Sequence, residues 1–227
     1  MPIAFPPSLD AVVFDLDGTL IDSEPDLRAA LNRLLEEMGR RLVRRDEVVM
    51  MIGDGIPKLV ERALEATGGP IGDGLQPAIT RYSIFYERAP ADLSVLFPGV
   101  TEMLAKLQAE GARMGLCTNK PEKPARDILE IFGIAKYFDA VVGGDTVAGV
   151  RKPDPRHLGA VLDALGATPA RAVMVGDNAN DVNTAKALGV PAIAVSFGYP
   201  RGPVAALRAD AVIDRFDDLF AALDGLA

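Results

Sequence analysis

The chain has 227 residues, 49% of them hydrophobic, with 24 basic against 32 acidic side chains and a net charge of −8. That length suits one large domain or a domain with an insert, and the acidic balance argues against nonspecific binding of nucleic acid. No unbroken apolar run approaches the ~18 residues of a membrane span, no basic residue before Arg28 marks a secretory signal, and a lone Cys117 excludes an internal disulfide, so a reducing cytoplasm is the expected setting.

The first predicted element is a strand. Ala11, Val12, Val13 and Phe14 form an apolar run that stops at Asp15-Leu16-Asp17-Gly18-Thr19, the pattern of a buried strand running into a turn. Carboxylates at the carboxyl end of such a strand lie where open α/β sheets place their ligands. With no basic neighbour in sequence they suit a divalent cation, and either could attack phosphorus, since carboxylates form aspartyl-phosphates. A polar turn alone would also account for them. Asp22 or Ser23 then caps a helix with Pro25 and Asp26 in its first turn and Leu27, Leu31, Leu34, Leu35 and Met38 on one face. The basic cluster Arg40, Arg41, Arg44 and Arg45 follows and reads as a solvated turn.

Gly53-Asp54-Gly55 breaks the chain, and Ile56, Leu59, Val60, Ala63 and Leu64 carry the apolar spacing of a second helix. A glycine-rich gap over 68–74 leads to a third helix through Ile79, Tyr82 and Tyr86. Residues 22–96 therefore read as wholly helical, without a strand. That is too long for one crossover and implies an inserted domain. Phe97-Pro98-Gly99 marks the return, after which strands around 114–118, 141–142, 172–175 and 191–195 alternate with amphipathic helices. Val212-Ile213 adds an edge strand, and residues 216–226 a closing helix. The expected fold is α/β: a Rossmann-like parallel sheet core, residues 1–21 and 97–227, covered by helices on both faces, with an all-helical cap domain at 22–96.

Chemistry collects where these strands end. Thr118-Asn119-Lys120 offers a hydroxyl, an amide and backbone N–H groups that suit phosphoryl oxygens, although Thr118 and Asn119 could equally cap the next helix. Lys152, in Lys152-Pro153-Asp154-Pro155, could neutralise a transferring phosphoryl group, or stand exposed before a helix capped by Asp154. Asp177 and Asp181, four residues apart after Gly176, suit a hard oxygen-ligated cation such as Mg²⁺, while Asp177 or Asn180 could simply cap a helix. His157 reads as a surface or partly buried helix residue, Cys117 as packing, and Phe197-Gly198-Tyr199 borders the expected cleft without a role. All four signals occur in order around one sheet, which turn chemistry alone does not produce.

Together, Asp15-Leu16-Asp17-Gly18-Thr19, Thr118-Asn119-Lys120, Lys152-Pro153 and Gly176-Asp177 with Asp181 resemble the four motifs of the haloacid dehalogenase-like hydrolases. Ile52-Gly53-Asp54-Gly55, the Thr118-Asn119-Lys120-Pro121 run and Ile134-Ala135-Lys136-Tyr137-Phe138 before Gly143-Gly144-Asp145 are most similar to the phosphoglycolate phosphatases. The resemblance implies Asp15 as nucleophile, Asp17 as general acid and base, and Mg²⁺ held by the Asp15 side chain, the Asp17 carbonyl and the Asp177 side chain. It implies phosphate contacts from Thr118, Asn119 and Lys152, with Asp181 orienting Lys152 or a metal-bound water. Selection of the leaving group, a small phosphorylated metabolite with 2-phosphoglycolate the first candidate, falls to the cap, where Gly53, Asp54 and Gly55 could reach the cleft. Hinges near 20–23 and 96–99 would let that cap close. Two rivals share the chemistry: a phosphosugar mutase that returns the phosphoryl group to sugar, and a signalling module merely phosphorylated on Asp15. Monomer and homodimer fit equally.

Overall fold

The computed structural model describes residues 4–69 and 74–226. In chain order the elements begin with β1 (Ala11–Phe14) and β2 (Ile21–Asp22). Four helices follow: α1 (Glu24–Glu37), α2 (Arg45–Val49), α3 (Ile56–Gly68) and α4 (Leu75–Arg88). Next come β3 (Val95–Leu96), α5 (Val100–Ala109), β4 (Arg113–Cys117), α6 (Glu122–Ile131) and β5 (Ala140–Val142). The chain continues through α7 (Pro155–Leu165), β6 (Ala172–Gly176), α8 (Ala179–Leu188) and β7 (Ala192–Val195), and closes with β8 (Ala211–Ile213) and α9 (Leu219–Asp224).

Six strands form one parallel sheet in the order β5-β4-β1-β6-β7-β8. The four residues of β1 are fully buried, so its side chains must be apolar on both faces, and the sequence AVVF supplies that. Because successive side chains alternate, Val12 and Phe14 join Met114, Leu116, Val173 and Val175 in a core shared with α5, α6 and α9. Ala11 and Val13 instead meet Met174 and Cys117 over α7 and α8, through Leu158, Val161, Val182 and Ala185. Cys117 is packing, as expected; burial pushes its thiol up to about 12, so it stays protonated. The order runs outward from β1 in both directions, which opens a crevice at the carboxyl ends of β1, β4 and β6.

Residues 22–96 differ from expectation in three places. They are not wholly helical: β2 and β3 form a two-residue antiparallel ladder, Ile21 with Leu96 and Asp22 with Val95, that joins the two chain passages into the helical block. Two-residue strands carry no periodicity to read. The basic cluster is not just a solvated turn. Arg45 opens α2, while Arg40 donates to the Leu64 carbonyl at 2.6 Å and Arg41 to the Ala66 carbonyl at 2.9 Å, tying the end of α1 to the last turns of α3. Met38, placed on the buried face of α1, is exposed just past the helix end. Ser23 does occupy the N-cap position of α1 but makes no capping bond. Of the 68–74 gap, Gly68 closes α3 and residues 70–73 lie outside the described residues. Among the described residues no helix is long and apolar enough to cross a membrane.

Candidate active site

The ends of β1, β4 and β6, with the loop after β5, bring together side chains spread over most of the chain. Lys152 Nζ is buried between two carboxylates, 2.6 Å from Asp181 Oδ1 and 2.8 Å from Asp15 Oδ1. It donates to Asp181, while Asp15 Oδ1 meets it as an ion pair outside hydrogen-bond geometry and is otherwise buried without a partner. The second Asp181 oxygen accepts the N–H groups of Asp177 and Asn178, both at 3.1 Å, and so closes the first turn of α8. Asp177 is held by the Asn178 amide at 2.8 Å and the Tyr199 N–H at 2.7 Å. Gly18, at φ 83°, lets the turn after β1 pass here, because a Cβ would run into the Asp177 carboxylate.

Asp15, Asp177 and Asp181 each offer a carboxylate oxygen within 4.8 Å of the others, all buried, and among the described residues Lys152 is the one ammonium that touches them. Burial raises the Asp15 carboxyl to about 7, with Lys152 opposing and the Asp181 and Asp17 charges adding. Burial, then Asp181 and Asp15, likewise push Asp177 well above the carboxylate range. An all-oxygen donor set with crowded negative charge fits a hard divalent cation. Asp15 Oδ1 has no hydrogen bond and is open to it, whereas the oxygens of Asp177 and of Asp181 each already accept one or more.

Above this cluster, both Asp17 carboxylate oxygens accept from Lys120 Nζ, at 2.9 and 3.0 Å. Lys120 is buried and lies 4.8 Å from the Tyr86 ring centroid of α4. Asp15, Asp17, Thr118, Asn119, Lys120, Gly53 and Gly55 line one cavity, roofed by Leu27, Ile52, Ile56 and Leu59. The Asn119 amide donates to the carbonyls of Gly53 and Lys152, at 2.9 and 3.0 Å, and its oxygen accepts the Lys152 N–H. Its side chain thus ties three loops together and does not cap α6, whose N-cap is Pro121. The Asp54 carboxylate is turned to Asn180, Arg62 and Arg201, at 2.6, 2.6 and 2.5 Å. α8 is capped by Asn178 rather than by Asp177 or Asn180, while Asp154 caps α7 as expected, accepting the Arg156 N–H at 2.9 Å.

His157 corrects its sequence reading. It is fully buried, and Nδ1 accepts the Lys152 N–H at 3.2 Å while Nε2 stands 3.0 Å from the Gly143 carbonyl. Those partners assign a neutral ring with its proton on Nε2. Sequence reasoning gave no role to Lys120, although it sits inside the quoted Thr118-Asn119-Lys120 run, nor to Tyr199, whose hydroxyl donates to Asp22 at 2.5 Å. Phe197 is not in the site; its ring packs between Phe97 and Phe216.

The family model for haloacid dehalogenase-like hydrolases matches residues 9–189. The chain belongs to that family. Among relatives of this haloacid dehalogenase-like hydrolase, a phosphoglycolate phosphatase of Rhodospirillum rubrum is 47% identical over 214 residues, covering 92% of this chain and 88% of its own. One from Caulobacter vibrioides is 42% identical over 209 residues, covering 92% and 88%. A crystal structure of a predicted phosphoglycolate phosphatase from Haemophilus somnus superimposes with a TM-score of 0.90 at 29% identity, covering 95% of this chain and 98% of that one. The hydrolase is a phosphatase, acting on phosphoric monoesters. The family resemblance read from four motifs and the α/β core read from alternating strands and helices are borne out.

Proposed function

We propose that this phosphatase hydrolyses 2-phosphoglycolate to glycolate and phosphate in the cytoplasm, with Mg²⁺ bound and through an aspartyl-phosphate on Asp15. Residues 1–21 and 97–227 are the catalytic core and residues 22–96 a cap that selects the leaving group. The observation that carries the reading is the buried Asp15 carboxylate beside Lys152 at the end of β1, with Asp17 two residues on and facing the same cavity. The substrate assignment rests on the two relatives that are phosphoglycolate phosphatases and share over 40% identity.

Asp15 attacks phosphorus, the bond to the leaving oxygen breaks, and Asp17 gives that oxygen its proton. Asp17 then takes a proton from water as the water oxygen attacks phosphorus, releasing phosphate and restoring Asp15. Thr118, Asn119 and Lys152 bind the phosphoryl oxygens, Lys152 being held in place by Asp181 at 2.6 Å. The Asp15 and Asp177 side chains and the Asp17 carbonyl would hold Mg²⁺, and when bound it neutralises negative charge between nucleophile and phosphate. Gly53 and Gly55 border the leaving group, and Asp54 supports them from behind.

Phosphate release across a panel of small phosphate esters, with and without Mg²⁺, tests the reading. Expected are Mg²⁺-dependent release, a preference for 2-phosphoglycolate, and loss of turnover in Asp15→Ala. Full turnover in that variant sinks the nucleophile. Preference for a hexose phosphate, with the phosphoryl group returned to sugar, replaces the phosphatase with a mutase.

A further inference from the structure

Lys120 is a buried cation whose position the reaction above does not explain. In the cavity that holds Asp15 and Asp17 it is the sole cationic side chain of the lining, since Lys152 lies beneath, on the Asp15 and Asp181 side. Its ammonium reaches both Asp17 oxygens, at 2.9 and 3.0 Å. An acid that must hold a proton on one of those oxygens cannot keep both on an ammonium. For Asp17 to protonate the leaving oxygen, Lys120 needs another anion. Leaving it unpaired in an apolar roof would be costly.

The cavity offers a place for that anion. α3 begins with Gly55 and Ile56 at the cavity wall, and its first turn carries neither an acidic residue nor a side-chain cap. Although Pro57 contributes no N–H, this end of α3 therefore brings its partial positive charge to the wall of the cavity that Lys120 lines, with no acidic residue to compensate it. Leu27, Ile52 and Leu59 close the remainder, which leaves room for a short group.

Resting on the phosphatase reading, we infer that Lys120 is the specificity-determining residue for a leaving group bearing a carboxylate: the carboxylate takes the Lys120 ammonium from Asp17 and frees Asp17 to act as the acid. Recognition of the correct substrate and readiness of the acid are then one event. A neutral ester of the same size leaves Lys120 on Asp17 and reacts slowly.

The test compares kcat/KM for 2-phosphoglycolate and 2-hydroxyethyl phosphate, which differ in carboxylate against hydroxymethyl. The ratio is taken in the parent and in Lys120→Met, Lys120→Gln and Lys120→Arg, so that partial loss of folded protein cancels. Removing the charge should cut the ratio by about 30-fold, with KM for 2-phosphoglycolate rising and the Arg variant retaining more of the ratio than either neutral one. A ratio within about twofold of the parent in both neutral variants overturns the proposal. A parent that prefers 3-phosphoglycerate over glycerol 3-phosphate and ignores 2-phosphoglycolate overturns the substrate assignment alone, and the ratio on that pair then tests Lys120. A parent indifferent to the carboxylate in both pairs overturns the Lys120 assignment.

Discussion

Asp17 and His157 make two residue-scale predictions of different kinds. Asp17 touches Lys120 but none of the Asp15, Asp177 and Asp181 carboxylates through its side chain. Asp17→Asn should therefore leave Mg²⁺ affinity largely intact while slowing phosphate release by about 10²- to 10⁴-fold, the range of a lost general acid and base. Calorimetric metal titration beside single-turnover kinetics measures both, and unslowed release removes Asp17 from its role. His157 bears on stability. Burial lowers its pKa below the ordinary 6.5, the Gly143 carbonyl opposes, the Lys152 and Arg151 charges add, and Asp154 opposes weakly. The unfolded chain takes up that proton first, so its contribution is intact above pH 6.5 and lost as the pH falls through that value toward the folded pKa. His157→Asn should cost about 1–3 kcal/mol at pH 7.5 through two lost hydrogen bonds. Urea midpoints should then converge between parent and variant as the pH drops to 5.5; a gap that widens on acidification contradicts a neutral buried ring.

At the scale of elements, α8 does two jobs with one residue. Asn178 accepts the Asn180 N–H at 2.8 Å as the helix cap and donates to Asp177 Oδ1 at 2.8 Å. Asn178→Ala should lose about 1 kcal/mol of stability and weaken divalent-cation affinity by about 10- to 100-fold through a less firmly held Asp177. Chemical denaturation and metal titration measure the two losses; unchanged metal affinity means Asp177 needs no such support. Elements of this kind were readable in the sequence wherever an apolar run met a polar turn. β1, β4 and β6 each end that way, and the residues that follow were singled out for chemistry before their neighbours in space were known. β2 and β3 were not readable, being two residues long, and neither was α2, whose RDEVV has one buried side chain and no periodicity. The Lys120–Asp17 pair spans 103 residues, and His157 differs from a surface histidine only by what packs on it. Pairings of that sort depend on the sheet order, which no local pattern carries.

For the whole molecule the question is how the cap is held over the core. The 53–55 loop crosses that boundary: the Gly53 carbonyl accepts from Asn119 and Asn180, and Asp54 accepts from Asn180 and Arg201 on the core side and Arg62 on its own. Burial resists the charge on Asp54, but the Asn180, Arg201 and Arg62 bonds outweigh it and keep the carboxyl below its usual range. Arg201 also donates to the Ile52 carbonyl, so one core side chain grips the cap at two positions, one on either side of Gly53. On the proposed mechanism, closure would exclude water from the aspartyl-phosphate chemistry, and its free energy would be the sum of these bonds less the freedom the hinge gives up. The Asp54–Arg201 pair is partly exposed, 22% and 32%, so about 1 kcal/mol is a fair ceiling for it. Arg201→Ala should then favour the open form and raise KM by up to about fivefold, with little change in melting temperature because no core packing is lost. Arg62→Ala, which removes a bond within the cap, should move KM less. Small-angle scattering adds the structural measure: the radius of gyration should grow in Arg201→Ala and stay near the parent in Arg62→Ala. Equal effects of the two variants on both measurements would mean that Asp54 braces the cap internally and does not fasten it to the core.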